Sequence, residues 1–290
     1  MYASIKIKRV AISITLLTII MTACLLMSSI NPLTVEVSVA EKTDALKLPI
    51  IMYHSILKDE TRHGKYVISP NELEKDLKYI KENGYTTVTA NDLIAYVEGK
   101  GDLPKKPIML TFDDGYYNNY LYAYPLLKKY RSKAVIGIIG TYTQQYSDTP
   151  DENANYSHCT WDNIKEILSS GLVDIENHSY NLHKSDGDRL GTERKQGESF
   201  EDYKKLLTED INKLQKAFKD NLDITSYTFI YPFGVYSDGE SEILKELGFK
   251  CTLTCNEKMN YIVKDPECLH FLGRYIRTSD RSVEKIVTSN

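Results

Sequence analysis

The stretch "PIMLTFDDGYY" (107–117) decides how the chain is read. An apolar run of strand character (107–112) stops at two adjacent aspartates, and Gly115 follows. Two like charges in contact raise the cost of ionising both. A bound cation removes that cost, because it engages one carboxylate and favours the charged form of its neighbour. Adjacent residues on extended backbone point to opposite sides, so unequal roles are expected: one carboxylate on a metal, the other facing a water. The plain alternative is an Asp-Gly turn.

Working outward, strand-like and helix-like segments alternate about seven times. Strands are predicted at 48–54, 85–89, 107–112, 133–140, 172–178, 228–234 and 250–255, with a last extended piece at 269–276. Helices are predicted at 69–84, with Ser69 as N-cap, Pro70 first and Glu72 third, and at 91–99, capped by Asn91. Further helices are predicted at 119–130, with a distortion before Pro125, at 160–171, opened by Thr160, at 199–220 and at 237–249, with a short one in the tail. Residues 141–158 read as a polar loop. Repeated strand–helix units argue for parallel strands wrapped by helices. The expected fold is α/β, a barrel closed or nearly closed, with a flat doubly wound sheet as the alternative. Working residues of such barrels gather where strands end, and here those ends carry His54, Asp113, Asp114, His178 and the turn "YPFG".

The chain has 290 residues, 42% of them apolar, and a formal charge of −4. That balance points away from nucleic acid and anionic membranes. Lys6, Lys8 and Arg9 precede an uncharged run, Val10–Ile30. This is the pattern of a secretory signal or an N-terminal membrane anchor. Residues 1–40 are therefore set apart, 41–47 read as a polar linker, and 48–290 as one catalytic domain. Cys159, Cys251, Cys255 and Cys268 lack the spacing of a zinc knuckle or redox pair and read as packing residues, with disulfides to Cys159 or Cys268 an open alternative.

"NHSYNLHK" (177–184) follows a predicted strand and places His178 and His183 five apart. Neutral imidazole is the commonest nitrogen ligand of zinc and related ions. Two histidines with one aspartate make the three-ligand set of a catalytic metal with positions left for water and substrate. His63 and His158 have no such context and read as surface.

"TFDDG" followed by "NHS…H" resembles carbohydrate esterase family 4, the NodB-type polysaccharide deacetylases. The likeness spans roughly 48–276. It implies a distorted (β/α)7-8 barrel and a metal-dependent hydrolase that removes N-acetyl groups from an amino-sugar polymer. The implied roles are Asp113 as general base and Asp114, His178 and His183 as ligands of a divalent metal. That metal is zinc first, with cobalt, nickel or manganese as alternatives. Ser179 matches the residue that steadies the histidine loop. The resemblance also implies that the Phe233 backbone N–H holds the oxyanion, with Tyr231 beside it.

Three departures stand out. Four residues separate the histidines instead of three. Ile230 occupies the place of the arginine that orients the base, and Arg274 in "LGRYIR" is the candidate replacement. The general acid is expected at His54 in "IIMYHSI", with His270 in "LHFLG" as the alternative. The expected substrate is a β-1,4- or β-1,6-linked N-acetylglucosamine polymer outside the cell, peptidoglycan first. The expected working form is a monomer that meets a membrane only through its N-terminal segment. Other readings are a carbohydrate-binding protein on the same fold and a hydrolase of another amide.

Overall fold

The computed structural model describes residues 45–289. The signal or anchor expected over 1–40 lies outside them. Among the described residues no helix is long and apolar enough to cross a membrane.

Eight parallel strands form one curled sheet. They are β1 (Ile50–Tyr53), β2 (Thr86–Val88), β3 (Pro107–Phe112), β4 (Ala134–Ile138), β5 (Val173–Asn177), β6 (Thr228–Ile230), β7 (Cys251–Leu253) and β8 (Tyr275–Ile276). Their order is β7-β6-β5-β4-β3-β1-β8, and β2 pairs with the start of β3. A parallel bridge from Leu253 to Leu272, just before β8, joins the two ends. The result is the expected distorted (β/α) barrel.

Alternation along the strands separates two faces. Ile50, Val88, Met109, Val135, Ile230, Cys251 and Leu253 fill the inside. Ile51, Tyr53, Leu110, Phe112, Ile136 and Ile138 face outward under the helices. Burying each such side chain contributes roughly 1.5–3 kcal/mol. Along β3 the inner face passes from Met109 through Thr111 to Asp113, so the apolar interior gives way to polar groups at the strand's C-terminal end.

Helix α1 (Pro70–Glu82) starts with a capping box between Ser69 and Glu72 and buries Leu73, Leu77 and Ile80. Helix α2 (Ala90–Val97) is capped by Thr89, whose side chain accepts from the Asp92 N–H, and not by Asn91 as expected. The distortion before Pro125 is a π-helical turn, Asn119–Ala123, leading into α3 (Tyr124–Tyr130). Pro125 has no N–H to donate, which favours an irregular join there.

The polar loop expected at 141–158 is helical in its first part: α4 spans Gly140–Asp148, and 149–158 remain irregular. It carries no apolar stripe, and partners in space hold it. Gln144 Oε1 accepts from Trp161 Nε1 at 3.0 Å, and Ser147 Oγ accepts from the Trp161 N–H at 2.9 Å. The remaining helices are α5 (Trp161–Ser169), capped by Thr160, α6 (Phe200–Leu222), α7 (Glu240–Glu246) and α8 (Val283–Thr288).

A short strand, Leu46–Leu48, pairs antiparallel with Asn260–Ile262 and so begins inside the stretch read as linker. Cys159, Cys251, Cys255 and Cys268 are all free thiols.

Candidate active site

The site forms where β3, β5 and β1 end. The Asp113 N–H still donates to Tyr53 O at 3.0 Å, so Asp113 continues the ladder with β1. Asp114 and Gly115 then take φ of 70° and 66°, a left-handed region that aspartate tolerates better than most residues. At Gly115 a Cβ would stand 2.9 Å from Ile138 Cγ2, so glycine is required. This reversal separates the two carboxylates. Asp113 turns to the inner face and Asp114 turns to the histidines.

His178 follows β5 and is buried. Its Nδ1 lies 2.7 Å from Ile230 O. That contact assigns the proton to Nδ1, where it donates to the carbonyl and leaves the Nε2 lone pair free. Burial, with His183 nearby, lowers the His178 pKa to about 4 against the pull of Asp113 and Asp114. The imidazole is therefore neutral at ordinary pH, as a metal ligand requires.

The four residues between the histidines form a compact turn. Asn177 Oδ1 accepts from the Ser179 N–H at 2.9 Å, and Ser179 Oγ accepts from the Leu182 N–H at 3.2 Å. Asp210 of α6 accepts from the Tyr180 and Asn181 N–H groups at 2.7 and 2.8 Å. The extra residue is thus absorbed, and the two imidazole centroids sit 4.7 Å apart.

Asp114 Oδ1 lies 3.6 Å from His178 Nε2 and 3.3 Å from His183 Nε2. The ligand atoms of the three residues lie within 4.8 Å of one another. Asp114 Oδ1 is buried and has no hydrogen-bond partner. A buried carboxylate oxygen in that condition is costly unless something positive meets it. Two imidazole nitrogens and one carboxylate suit a divalent transition ion.

Asp113 stands beside this set with a different partner. Arg274 Nη1 donates to Asp113 Oδ1 at 2.6 Å. Arg274 also donates to Thr254 O at 2.9 Å and Thr111 Oγ1 at 3.2 Å, and it is wholly buried. Burial alone would raise the Asp113 pKa, but Arg274, His178 and His54 outweigh it and hold the carboxyl well below the usual range. Asp113 is therefore a carboxylate at any working pH.

A cleft of about 740 Å³ opens over these groups and is also lined by His54 and Phe233. The His54 ring meets Tyr66 edge-on at 4.8 Å, and His54 Nδ1 is buried without a hydrogen-bond partner. Phe233 has φ 59°, is 43% exposed, and lays its ring 4.3 Å from that of His183.

Two candidates fall outside this group. The Tyr231 side chain is fully buried against Phe229, Tyr203 and Leu207, beneath α6 and α7. Ile230 faces the barrel interior, so its neighbour must face away, and Tyr231 cannot reach the cleft with its ring. His270 ends a 3₁₀ turn (Pro266–Leu269) and lines a separate depression with Lys245 and Glu267.

Two residues were missed. Asp210 fastens the histidine turn from a distant helix, and no local signal marks it. His158, read as surface, is 92% buried, with the rings of Tyr142, Tyr116 and Tyr146 at 4.5, 4.8 and 5.6 Å. Its segment pairs with the residues after the aspartates, since the Cys159 N–H donates to Gly115 O at 2.8 Å. Burial lowers its pKa to about 4, so it adds a neutral ring to the support of the metal-facing turn.

Comparison with known proteins gives concordant matches. A polysaccharide deacetylase family profile matches residues 100–252. The poly-β-1,6-N-acetyl-D-glucosamine N-deacetylase of Escherichia coli K12 is 24% identical over 267 residues, covering 82% of this chain and 40% of the relative. The enzyme of the same name from Staphylococcus aureus N315 is 28% identical over 194 residues, covering 67% of this chain and 62% of the relative. The chain thus matches less than two thirds of the length of these relatives. A solved de-N-acetylase from Aggregatibacter actinomycetemcomitans superposes with a TM-score of 0.72 at 26% identity, covering 83% of this chain and 99% of that one.

Proposed function

This chain belongs to the polysaccharide deacetylase family, and we propose that it is a metal-dependent hydrolase removing N-acetyl groups from a β-1,6-linked N-acetylglucosamine polymer outside the cell. One observation carries the reading: Asp113, held by Arg274, shares a cleft with the Asp114–His178–His183 set and with His54. Carbohydrate binding alone needs no arginine-held carboxylate beside a metal set. The peptidoglycan preference expected from the sequence is not supported by the named relatives, which favour the β-1,6-linked polymer. The uncharged run Val10–Ile30 behind a basic cluster supports an exported site of action.

Asp114, His178 and His183 would hold the divalent ion, with zinc first. When bound, the ion polarises the acetyl carbonyl and acidifies the attacking water. Asp113 accepts a proton from that water as its oxygen bonds to the acetyl carbon. Arg274 keeps the Asp113 carboxylate charged and oriented. The Phe233 N–H would help hold the developing oxyanion. His54 delivers a proton to the amide nitrogen as the C–N bond breaks. The products are acetate and a free amine on the sugar.

The test is acetate release from β-1,6-linked N-acetylglucosamine oligomers by metal-loaded protein, with and without chelator. Release abolished by chelator and restored by metal is expected. Absence of release from any amino-sugar polymer would overturn the reading.

A further inference from the structure

The proposed reaction, on which this inference rests, leaves a charge behind. Each acetyl group removed turns a neutral acetamido group into an ammonium, and the cleft does not treat that charge neutrally. The carboxylates lining it are Asp113, paired with Arg274, and Asp114, set between the histidines. The other formally charged residues lining it are Arg62 and Lys65. Arg62 has a single ion pair, with exposed Asp59 at 3.7 Å. Lys65 has none among the described residues, and its ammonium stands 5.0 Å from the centroid of the Tyr66 ring. Although the chain carries a net charge of −4, this side of the cleft presents two cations.

The wall is fixed. The Ser55 N–H donates to Tyr66 O at 3.0 Å, Leu57 N–H to Ile68 O at 2.9 Å, Gly64 N–H to Val67 O at 2.9 Å, and Ser279 N–H to Gly64 O at 2.9 Å. It also stands beside His54, through the edge contact of Tyr66. A sugar flanking the reacting one on this side passes next to two cations. A neutral N-acetylglucosamine meets no penalty there, whereas a glucosaminium is repelled.

We infer that Arg62 and Lys65 make the cleft discriminate by the charge of the neighbouring sugar. The cleft accepts runs of N-acetylglucosamine and disfavours positions beside units already deacetylated, so that free amines are spaced along the polymer.

The test compares kcat/KM on fully acetylated oligomers with that on oligomers carrying one glucosamine beside the reacting unit. A preference of about threefold to tenfold for the acetylated neighbour is expected at low salt, falling towards parity near 1 M. The Arg62→Glu, Lys65→Glu protein should lose or invert that ratio. In parallel, calorimetry with a fully deacetylated glucosamine oligomer should show tighter binding to the charge-reversed protein. Ratio and glucosamine affinity both unmoved by charge reversal would overturn the inference. If no oligomer is turned over, the deacetylase reading fails, while the calorimetry still decides the role of the wall.

Discussion

Two buried arginine–aspartate pairs use arginines that flank the last strand, Arg274 before it and Arg277 after it, and they are built for different ends. Arg277 Nε donates to Asp76 Oδ2 at 2.7 Å and Nη2 to Oδ1 at 3.3 Å. Asp76 also accepts from the Tyr53 hydroxyl and the Val283 N–H, each at 3.2 Å. Both oxygens are occupied, and the pair ties α1, β1 and α8 together. Asp113 receives only Arg274 among the described residues, and only on Oδ1. The arginine there has four acceptors, Asp113, Thr111, Thr254 and the Cys255 sulfur, and the aspartate keeps its second oxygen for the cleft. Their pKa shifts also run in opposite directions. Burial dominates at Asp76 and raises its pKa despite Arg277, whereas at Asp113 the surrounding positive groups win and lower it. A buried ion pair becomes available for chemistry when the anion is left under-coordinated on the side that faces water.

The largest effect that could break this contrast is at Asp113. Asp113→Asn should lower kcat by about 10²–10⁴-fold, the range of a general base, with metal content unchanged by elemental analysis. Asp114→Asn should instead lose the metal. If both variants lose metal alike, the two carboxylates do not have separate roles. At Asp76 the outcome should be reversed. Asp76→Asn removes one partner of a buried pair and should cost about 3–5 kcal/mol in denaturant unfolding, with kcat of the folded enzyme near the wild-type value. A folded Asp76→Asn protein without turnover would contradict the assignment of that pair to stability.

The contrast was partly legible in the sequence. "TFDDG" and "NHS…H" put Asp113, Asp114, His178 and His183 at strand ends, because strand termini with turn residues leave a local signature. Arg274 was reached through the missing arginine at Ile230. What escaped depends on contacts distant in sequence. The polar segment at 140–148 has no apolar stripe, and its helix is fixed by Trp161. His158 becomes buried only because three tyrosines close over it. Tyr231 was placed in the cleft by the motif, although strand alternation from Ile230 already turned its ring outward.

A third buried carboxylate sharpens the comparison, because it has no arginine. Glu240 on α7 is fully buried, with Oε2 accepting from the Ser237 N–H at 3.0 Å. Burial pushes its pKa up from 4.5 to about 7 against the weaker opposing pull of its polar neighbours, the Ser237 N–H among them. The folded state therefore binds a proton that the unfolded chain has released between pH 4.5 and about 7. The stability contribution is complete below pH 4.5 and is lost as pH rises to about 7, by on the order of 3 kcal/mol. Glu240→Gln should flatten that part of the unfolding free energy plotted against pH. An unchanged slope would mean that burial without a cation does not by itself hold the proton.

The smallest effect expected is also the most specific to the base. Arg274→Lys keeps a positive charge near Asp113 but loses the planar fork that spans Asp113, Thr111 and Thr254, so orientation suffers more than charge. The expected loss is about tenfold in kcat, with KM and metal content little changed. Arg274→Met removes the charge too and should lose more in kcat, so partial rescue by lysine separates orientation from neutralisation. If the lysine and methionine variants fall equally, fork geometry is the whole contribution. If Arg274→Met keeps full turnover, Asp113 needs no arginine, and its likeness to the Asp76 pair ends at burial.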